Sequence, residues 1–292
     1  MNNQSTSLTD IDKPHYNYWQ AIVLSFYSSR LYVDVGKRWR KLGAGYLLLV
    51  IALASIPFAL RIMYDFRVFF TNQLIIPLEK MPLLTIQNGI VSYDGTMPYF
   101  GKNQQGQVIT IVDTTGQITE NATAKYPQLR VLITKNQFIY WSPPPTFFFS
   151  HDPQNTHTSP VVQTLDKNMN DVFDGSKWIR SSGINKVYFL SMFIIYPSVL
   201  LIFYVFYQIF ILVFAMMAQL LVSLFLKFTV TYPQACRLLT VSATPQIFVL
   251  LVFMSLDWVF PGAGFILLLL LALYFTYAAV SLKRASNKMV LR

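Results

Sequence analysis

The residues best suited to chemistry are Asp113, Thr114, Thr115 and Gly116, which close the β-branched run Val108–Val112. A carboxylate beside two hydroxyls at the end of a strand could act as an acid or a nucleophile. The same pattern starts an Asx turn, in which the carboxylate accepts backbone N–H groups a few residues on. Asp113 has no partnered base in the sequence around it, so the turn takes precedence over a membrane hydrolase. His151, Asp152 and His157 stand close together, but in a Pro/Asn/Thr-rich stretch whose spacing matches no zinc-ligand pattern. Cys236 is the single cysteine, which excludes an intrachain disulfide and any Cys-rich metal or redox motif. It reads as a small buried residue, with palmitoylation as the alternative. The chain has no Gly-rich phosphate loop, no Gly-x-Ser-x-Gly elbow and no His-Glu-x-x-His. No catalytic residue, metal or cofactor is therefore expected. Asn121-Ala122-Thr123 is a glycosylation sequon that matters only in a pathway that glycosylates.

The elements around these residues are mostly apolar. Of 292 residues, 54% are hydrophobic and 12% charged, about half the charge of an ordinary soluble domain. Four tracts lack charge over membrane-spanning length: 42–60, 187–226, 238–256 and 258–282. They predict an integral membrane α-helical protein with four transmembrane helices, at 42–63, within 187–228, at 240–257 and at 262–282. The second tract reads as one span, about 188–212, that runs on as a helix, with two spans as the alternative. The last two spans form a hairpin through Asp257–Gly262. Thr244 and Pro245 stand at the start of the third span, where a missing N–H costs least. No ionisable residue lies inside the tracts, which argues against a proton-coupled pump.

Charge sets the orientation. Lys37, Arg38, Arg40 and Lys41 precede the first span, and Lys283 and Arg284 open a basic tail, 283–292, after the last. By the positive-inside rule both termini are cytoplasmic, and residues 64–186 lie outside. That outer segment holds ten Lys/Arg against nine Asp/Glu, a net of +1. The cytoplasmic segments hold twelve against three, a net of +9, while Arg61 and Asp257 cancel. The surplus of +10 is thus an orientation signal. The basic residues are dispersed over short segments with no nucleic-acid motif, so nucleic acid is not an expected partner. The lipid bilayer and anionic head groups are.

Residues 1–15 read as a disordered tail. In 16–41, Tyr18, Trp19, Ile22, Val23 and Phe26 follow roughly helical spacing ahead of the basic cluster. This segment is either an interfacial helix on an anionic leaflet or a helix packed on the ends of the spans. Residues 229–239 read as a cytoplasmic loop.

The outer segment predicts an inserted α+β domain with a mostly antiparallel sheet. Leu84–Ile86 and Ile90–Tyr93 flank Asn88-Gly89, and Leu129–Thr134 and Gln137–Trp141 flank Lys135-Asn136. Ser142-Pro143-Pro144-Pro145 breaks the sheet, and the spacing of Val161, Val162, Leu165, Met169, Val172 and Phe173 predicts a helix over 159–173. Phe147, Phe148 and Phe149 could enter the outer leaflet or cap a partner, but a core-facing strand edge is the simpler reading.

Several short motifs carry a resemblance. They are Ile86-Gln87-Asn88-Gly89, Val112-Asp113-Thr114-Thr115-Gly116, Tyr232-Pro233-Gln234-Ala235-Cys236-Arg237-Leu238 and Ala243-Thr244-Pro245. In this order of parts, over roughly residues 17–285, the chain resembles the bacterial membrane family called domain of unknown function 1189, which is similar to Yip-type membrane proteins. The resemblance implies a bacterial multi-pass inner-membrane protein and supplies no reaction and no catalytic residues.

The expected function is that of a non-enzymatic membrane scaffold or accessory subunit. Its outer domain would bind a protein partner or envelope ligand, and its spans would pack on another membrane protein or a second copy. The alternative is a component of a transport or lipid-handling complex.

Overall fold

The computed structural model describes residues 13–118, 122–141, 159–258 and 260–290. The calls on Phe147, Phe148 and Phe149, on His151, Asp152 and His157, on Asn121 and on the first twelve residues lie outside the described residues. The chain divides into a helical unit, residues 1–61 with 195–292, and a sheet-containing unit, 62–194.

The helical unit begins with α1 (Tyr18–Leu24) and α2 (Ser29–Arg38). The segment 16–41 is thus two helices. Leu31, Tyr32 and Val35 of α2 are fully buried, so α2 is a packed element with its apolar stripe turned inward. Trp19, Val23 and Tyr27, in and just after α1, stay exposed.

The first apolar tract is not one straight span. α3 (Ala44–Ala54) and α4 (Ile56–Phe70) meet at Ser55, and the pair, which runs on to Glu79, is bent by 46°. The cause is Pro57, which has no N–H for the Leu53 carbonyl and whose ring crowds it. A π turn, Thr71–Ile75, and α5 (Ile76–Glu79) continue into the second unit.

The long tract is one helix of 43 residues, α8 (Ile184–Leu226), with Pro197 inside it. α9 (Tyr232–Leu256) starts earlier than 240 and replaces much of the loop expected at 229–239. Its start is written locally: Thr231 and Gln234 form a capping box and Pro233 sits in the first turn. Pro245 consequently falls in the helix interior, not at its start. α10 (Ala263–Val290) carries the basic tail onward as helix. α8, α9 and α10 are each long and apolar enough to cross a membrane, and the bent α3–α4 pair would make a fourth.

α9 is the hub of the helical unit. It packs on α2, α3 and α10. Small residues make this possible: Ser242, Ala243 and Thr244 are fully buried, so neighbouring backbones approach closely.

In the sheet-containing unit, β1 (Leu84–Gln87) pairs antiparallel with β2 (Ile90–Ser92) across Asn88-Gly89. β1 also pairs with β8 (Asp171–Phe173), which completes a three-stranded sheet. The second sheet has the order β3 (Tyr99–Lys102), β4 (Val108–Val112), β5 (Val131–Ile133), β6 (Gln137–Tyr140) and β7 (Val161–Thr164). All its pairs are antiparallel except β4–β5, so the sheet is mixed. Short helices α6 (Ala122–Lys125) and α7 (Gly175–Ser181) complete the unit.

The helix expected over 159–173 is two strands and a turn. Leu165 N–H donates to the Asn136 carbonyl, and Met169 N–H to that of Asp166. The i, i+4 spacing of Val161, Leu165 and Met169 is coincidental. The β-branched run Val161-Val162-Gln163-Thr164 pairs with β6, and Asp166-Lys167-Asn168 supplies the turn.

Alternation along the strands builds two cores. Leu84, Ile86, Val91, Val112 and Ile133 cluster between the two sheets. Ile111, Leu129, Leu132, Ile139 and Trp141 line the other face of the five-stranded sheet, with Ile118 and Tyr126 packed on them.

Candidate functional site

Asp113 ends β4 with its carboxylate fully buried. Its own N–H donates to the Ile133 carbonyl (2.8 Å). One carboxylate oxygen accepts from Thr115 N–H (2.9 Å) and the Thr115 hydroxyl (2.5 Å), and the other from Ile118 N–H (2.6 Å). Burial pushes this carboxyl up, but the bonds from Thr115, Ile118 and Gln117 outweigh it and hold it below the ordinary aspartate value. Both oxygens are engaged in closing the loop that carries Ile118 onto the core. Thr114 is half-buried beside the turn, and Gly116 takes a positive φ of 77° within it. The arrangement organises a loop, with both carboxylate oxygens accepting from it.

The chemistry-capable groups that the fold does gather lie around α9. The Tyr46 hydroxyl of α3 and the Thr244 hydroxyl are 2.8 Å apart, both side chains fully buried. The Tyr32 hydroxyl donates to the Ser25 carbonyl (2.5 Å), and the Ser25 hydroxyl to that of Ile22 (2.7 Å). Thr240 donates back to the Cys236 carbonyl (2.8 Å). Pro245 is buried against the same core.

Beneath this row, the Gly36 carbonyl, one of the orphan acceptors at the end of α2, receives Gln234 and Arg237, each at 3.3 Å. The positive guanidinium there also suits the negative end of the helix dipole. A Cβ on Gly36 would sit 2.8 Å from a terminal carbon of the buried Leu282 of α10, which would have to shift.

The basic residues expected at the membrane surface separate into two settings. Lys37, Arg38, Arg40 and Lys41 are exposed at and after the end of α2. Arg38 pairs with Asp34 (3.2 Å), whose carboxylate also accepts the N–H groups of His15 and Tyr16. Lys37 and Arg38 line a cavity of about 370 Å³ with His15, Tyr16 and Arg30. Lys283 instead donates its ammonium to the Leu226 carbonyl at the end of α8 (2.7 Å), with Arg284 exposed beside it. Arg61 and Asp257, which only cancel in the charge count, are brought within 3.4 Å of each other. Arg61 also donates to the Met254 carbonyl (2.9 Å), so it closes the C-terminal end of α9.

A model described as "Protein of unknown function (DUF1189)" matches residues 19–280. The chain belongs to the DUF1189 family. No curated protein and no solved structure matches it. The match runs from α1 into α10, so the polar row on α9, the Asp113 turn and the basic group at 37–41 lie within the DUF1189 region, while Lys283 and Arg284 follow its end.

Sequence reasoning missed the Tyr46, Tyr32, Gln234 and Arg237 contacts. The available signals were hydroxyl-bearing aromatics inside apolar stretches and the Thr-x-x-Gln cap. Arg130 was also missed. It is buried in the sheet-containing unit, where desolvation lowers its pKa against an opposing contribution from Tyr140, and its Nε has no described partner. Among the described residues, no group of three His, Cys, Asp or Glu side chains could hold a metal ion.

The Tyr46–Thr244 pair should act as a clamp between α3 and α9. Tyr46→Phe and Thr244→Val are each expected to lower stability in detergent by about 1 kcal/mol, and the double variant by less than their sum. A thermal-unfolding double-mutant cycle measures this. Strict additivity would show that the two hydroxyls do not depend on each other.

Proposed function

We propose that this DUF1189 protein is a non-enzymatic multi-pass scaffold or accessory subunit of the bacterial inner membrane. Four spans cross the bilayer, the termini are cytoplasmic, and residues 64–186 form a periplasmic domain that binds a protein partner or envelope ligand. The observation that carries this reading is α8. At 1.5 Å per residue its 43 residues reach about 64 Å, twice the roughly 30 Å of a bilayer core. Apolar side chains are exposed along nearly all of it, including Phe189, Phe193, Ile202, Phe206, Met216 and Phe225. Only 22% of its most apolar window is buried. A tilt of about 40°, the upper end of what helices adopt, still leaves apolar surface beyond the hydrocarbon. Exposed apolar patches of that extent mark contacts with a membrane or another protein, and the part beyond the hydrocarbon calls for a protein surface. The Asp113 carboxylate, with both oxygens bonded within its own loop, supports a role without catalysis.

The test is site-specific photocrosslinking in cells from positions 193 and 206 of the full chain. A discrete protein adduct, whether a second copy or another membrane protein, is expected at one or both. Adducts with lipid alone at both positions overturn the reading. The topology has its own check. A single cysteine at Gln104, in a Cys236→Ser background, should react with an impermeant maleimide in intact cells, whereas protection there excludes an outer 64–186.

A lipid-handling role is the second reading. The observation that favours it is an apolar groove of about 510 Å³ between α8 and α10.

A further inference from the structure

We infer that this groove holds an acyl chain of an anionic phospholipid whose phosphate is received by Lys227 and Lys283. The inference deepens the lipid-handling reading and requires no protein partner. The walls are hydrocarbon, including Phe214, Leu221 and Phe225 from α8 and Leu268, Ala272 and Phe275 from α10. The volume falls within the range of about 300–1,000 Å³ seen for small-molecule sites. Along α8 the lining runs from Phe214 to Leu226 and along α10 from Leu268 to Ala279. That is about 18 Å of helix, close to half the roughly 30 Å hydrocarbon core. The groove is therefore one leaflet deep, as long as a lipid tail and too short for a spanning helix.

Its mouth is charged on one side. At the end where α8 stops, Lys283 bonds the Leu226 carbonyl (2.7 Å), which fixes its ammonium beside a lining residue. Lys227 follows at once in the left-handed region (φ 47°) with its side chain exposed. Lys283 keeps two further N–H donors. The described carboxylates of this unit are engaged elsewhere: Asp34 with Arg38 and the N–H groups of His15 and Tyr16, Asp257 with Arg61. No described carboxylate pairs with either lysine. Hydrocarbon walls of leaflet depth that end at two cations complement a lipid with a net negative head group. A zwitterionic head group would bring its own ammonium against them.

The experiment uses the full chain in nanodiscs made from equal amounts of phosphatidylglycerol and phosphatidylethanolamine. Native mass spectrometry then reads the lipid retained after ejection. Retained lipid is expected to be mainly phosphatidylglycerol, with a preference of roughly fivefold for each lysine that contributes. Lys227→Gln with Lys283→Gln should abolish the preference while leaving retention. Ala272→Trp, at an exposed position in the groove wall, should abolish retention of both lipids. Leu269→Trp, an exposed neighbour outside the lining, should retain lipid like the wild type and controls for folding. Equal retention of the two lipids by the wild type overturns the inference, as does unchanged retention in Ala272→Trp. Absence of a protein adduct on α8 with phosphatidylglycerol still retained overturns the scaffold alone.

Discussion

Asp113→Ala is expected to lower the stability of the sheet-containing unit by about 3 kcal/mol. The buried carboxylate accepts from two backbone N–H groups and one hydroxyl of a turn whose Thr115, Gly116 and Gln117 are exposed. Hydrogen bonds to a charged group contribute about 1.5–3 kcal/mol each, and donors left buried without an acceptor cost about 1–3 kcal/mol. These do not add fully, because the turn can relax towards water. Asp113→Asn should recover only part of the loss, since one oxygen becomes an NH₂ that faces N–H donors. The pH dependence follows from the depressed carboxyl. A group whose folded pKa is lowered contributes stability that is present above its unfolded value and lost as pH falls through the folded one. Wild-type stability should therefore drop below about pH 4, the ordinary aspartate range, and the Asn variant should lack that component. Urea unfolding followed at Trp141 across pH measures both. Loss of a cellular phenotype in Asp113→Asn with undiminished stability would instead show that the carboxylate acts on a substrate.

Gly36→Val is expected to lower the stability of the helical unit by about 3 kcal/mol and to detach α2. A Cβ there meets both terminal carbons of the buried Leu282, at 2.8 and 2.9 Å, so α2 and α10 touch closely and Leu282 must shift to admit a side chain. Overpacking of this kind costs about 1–3 kcal/mol, and a β-branched residue sits at the upper end. Detachment also withdraws the Gly36 carbonyl from Gln234 and Arg237. The decisive measurement is rescue. Leu282→Ala alone leaves a cavity and destabilises, but combined with Gly36→Val it should restore much of the loss, and proteolysis within residues 25–30 should return to the wild-type rate. A double variant no better than Gly36→Val would mean that the α2–α10 contact does not hold α2 in place.

The two turns Asn88-Gly89 and Lys135-Asn136 were readable because hairpin chemistry is local. Asn88 and Gly89 both take positive φ (52° and 73°), conformations that these residue types allow most easily. The strand Val108–Val112 was readable for the same reason, as an unbroken β-branched run. The helix forecast over 159–173 failed because six apolar residues fit a 3.6-residue period by chance, and pairing with β1 and β6 then decided the matter. Pro57 and the Thr231–Gln234 box were local signals that apolar counting passed over, and they account for the bend in the first tract and the early start of α9.

The sequence by itself determined that this chain has apolar helices of membrane-spanning length, a separate sheet-forming segment between them and a positive surplus that falls outside that segment. These follow from composition and period, which need no knowledge of which element touches which. Only the tertiary structure decided that α2 is buried, that Tyr46 meets Thr244, that Arg61 meets Asp257, and that α8 and α10 stand apart to leave a groove ending at Lys283. Each of these contacts joins residues far apart in the chain, or rests on a gap between two helices. No local pattern encodes such separations. They arise when the small residues of α9 let α2, α3 and α10 close around it.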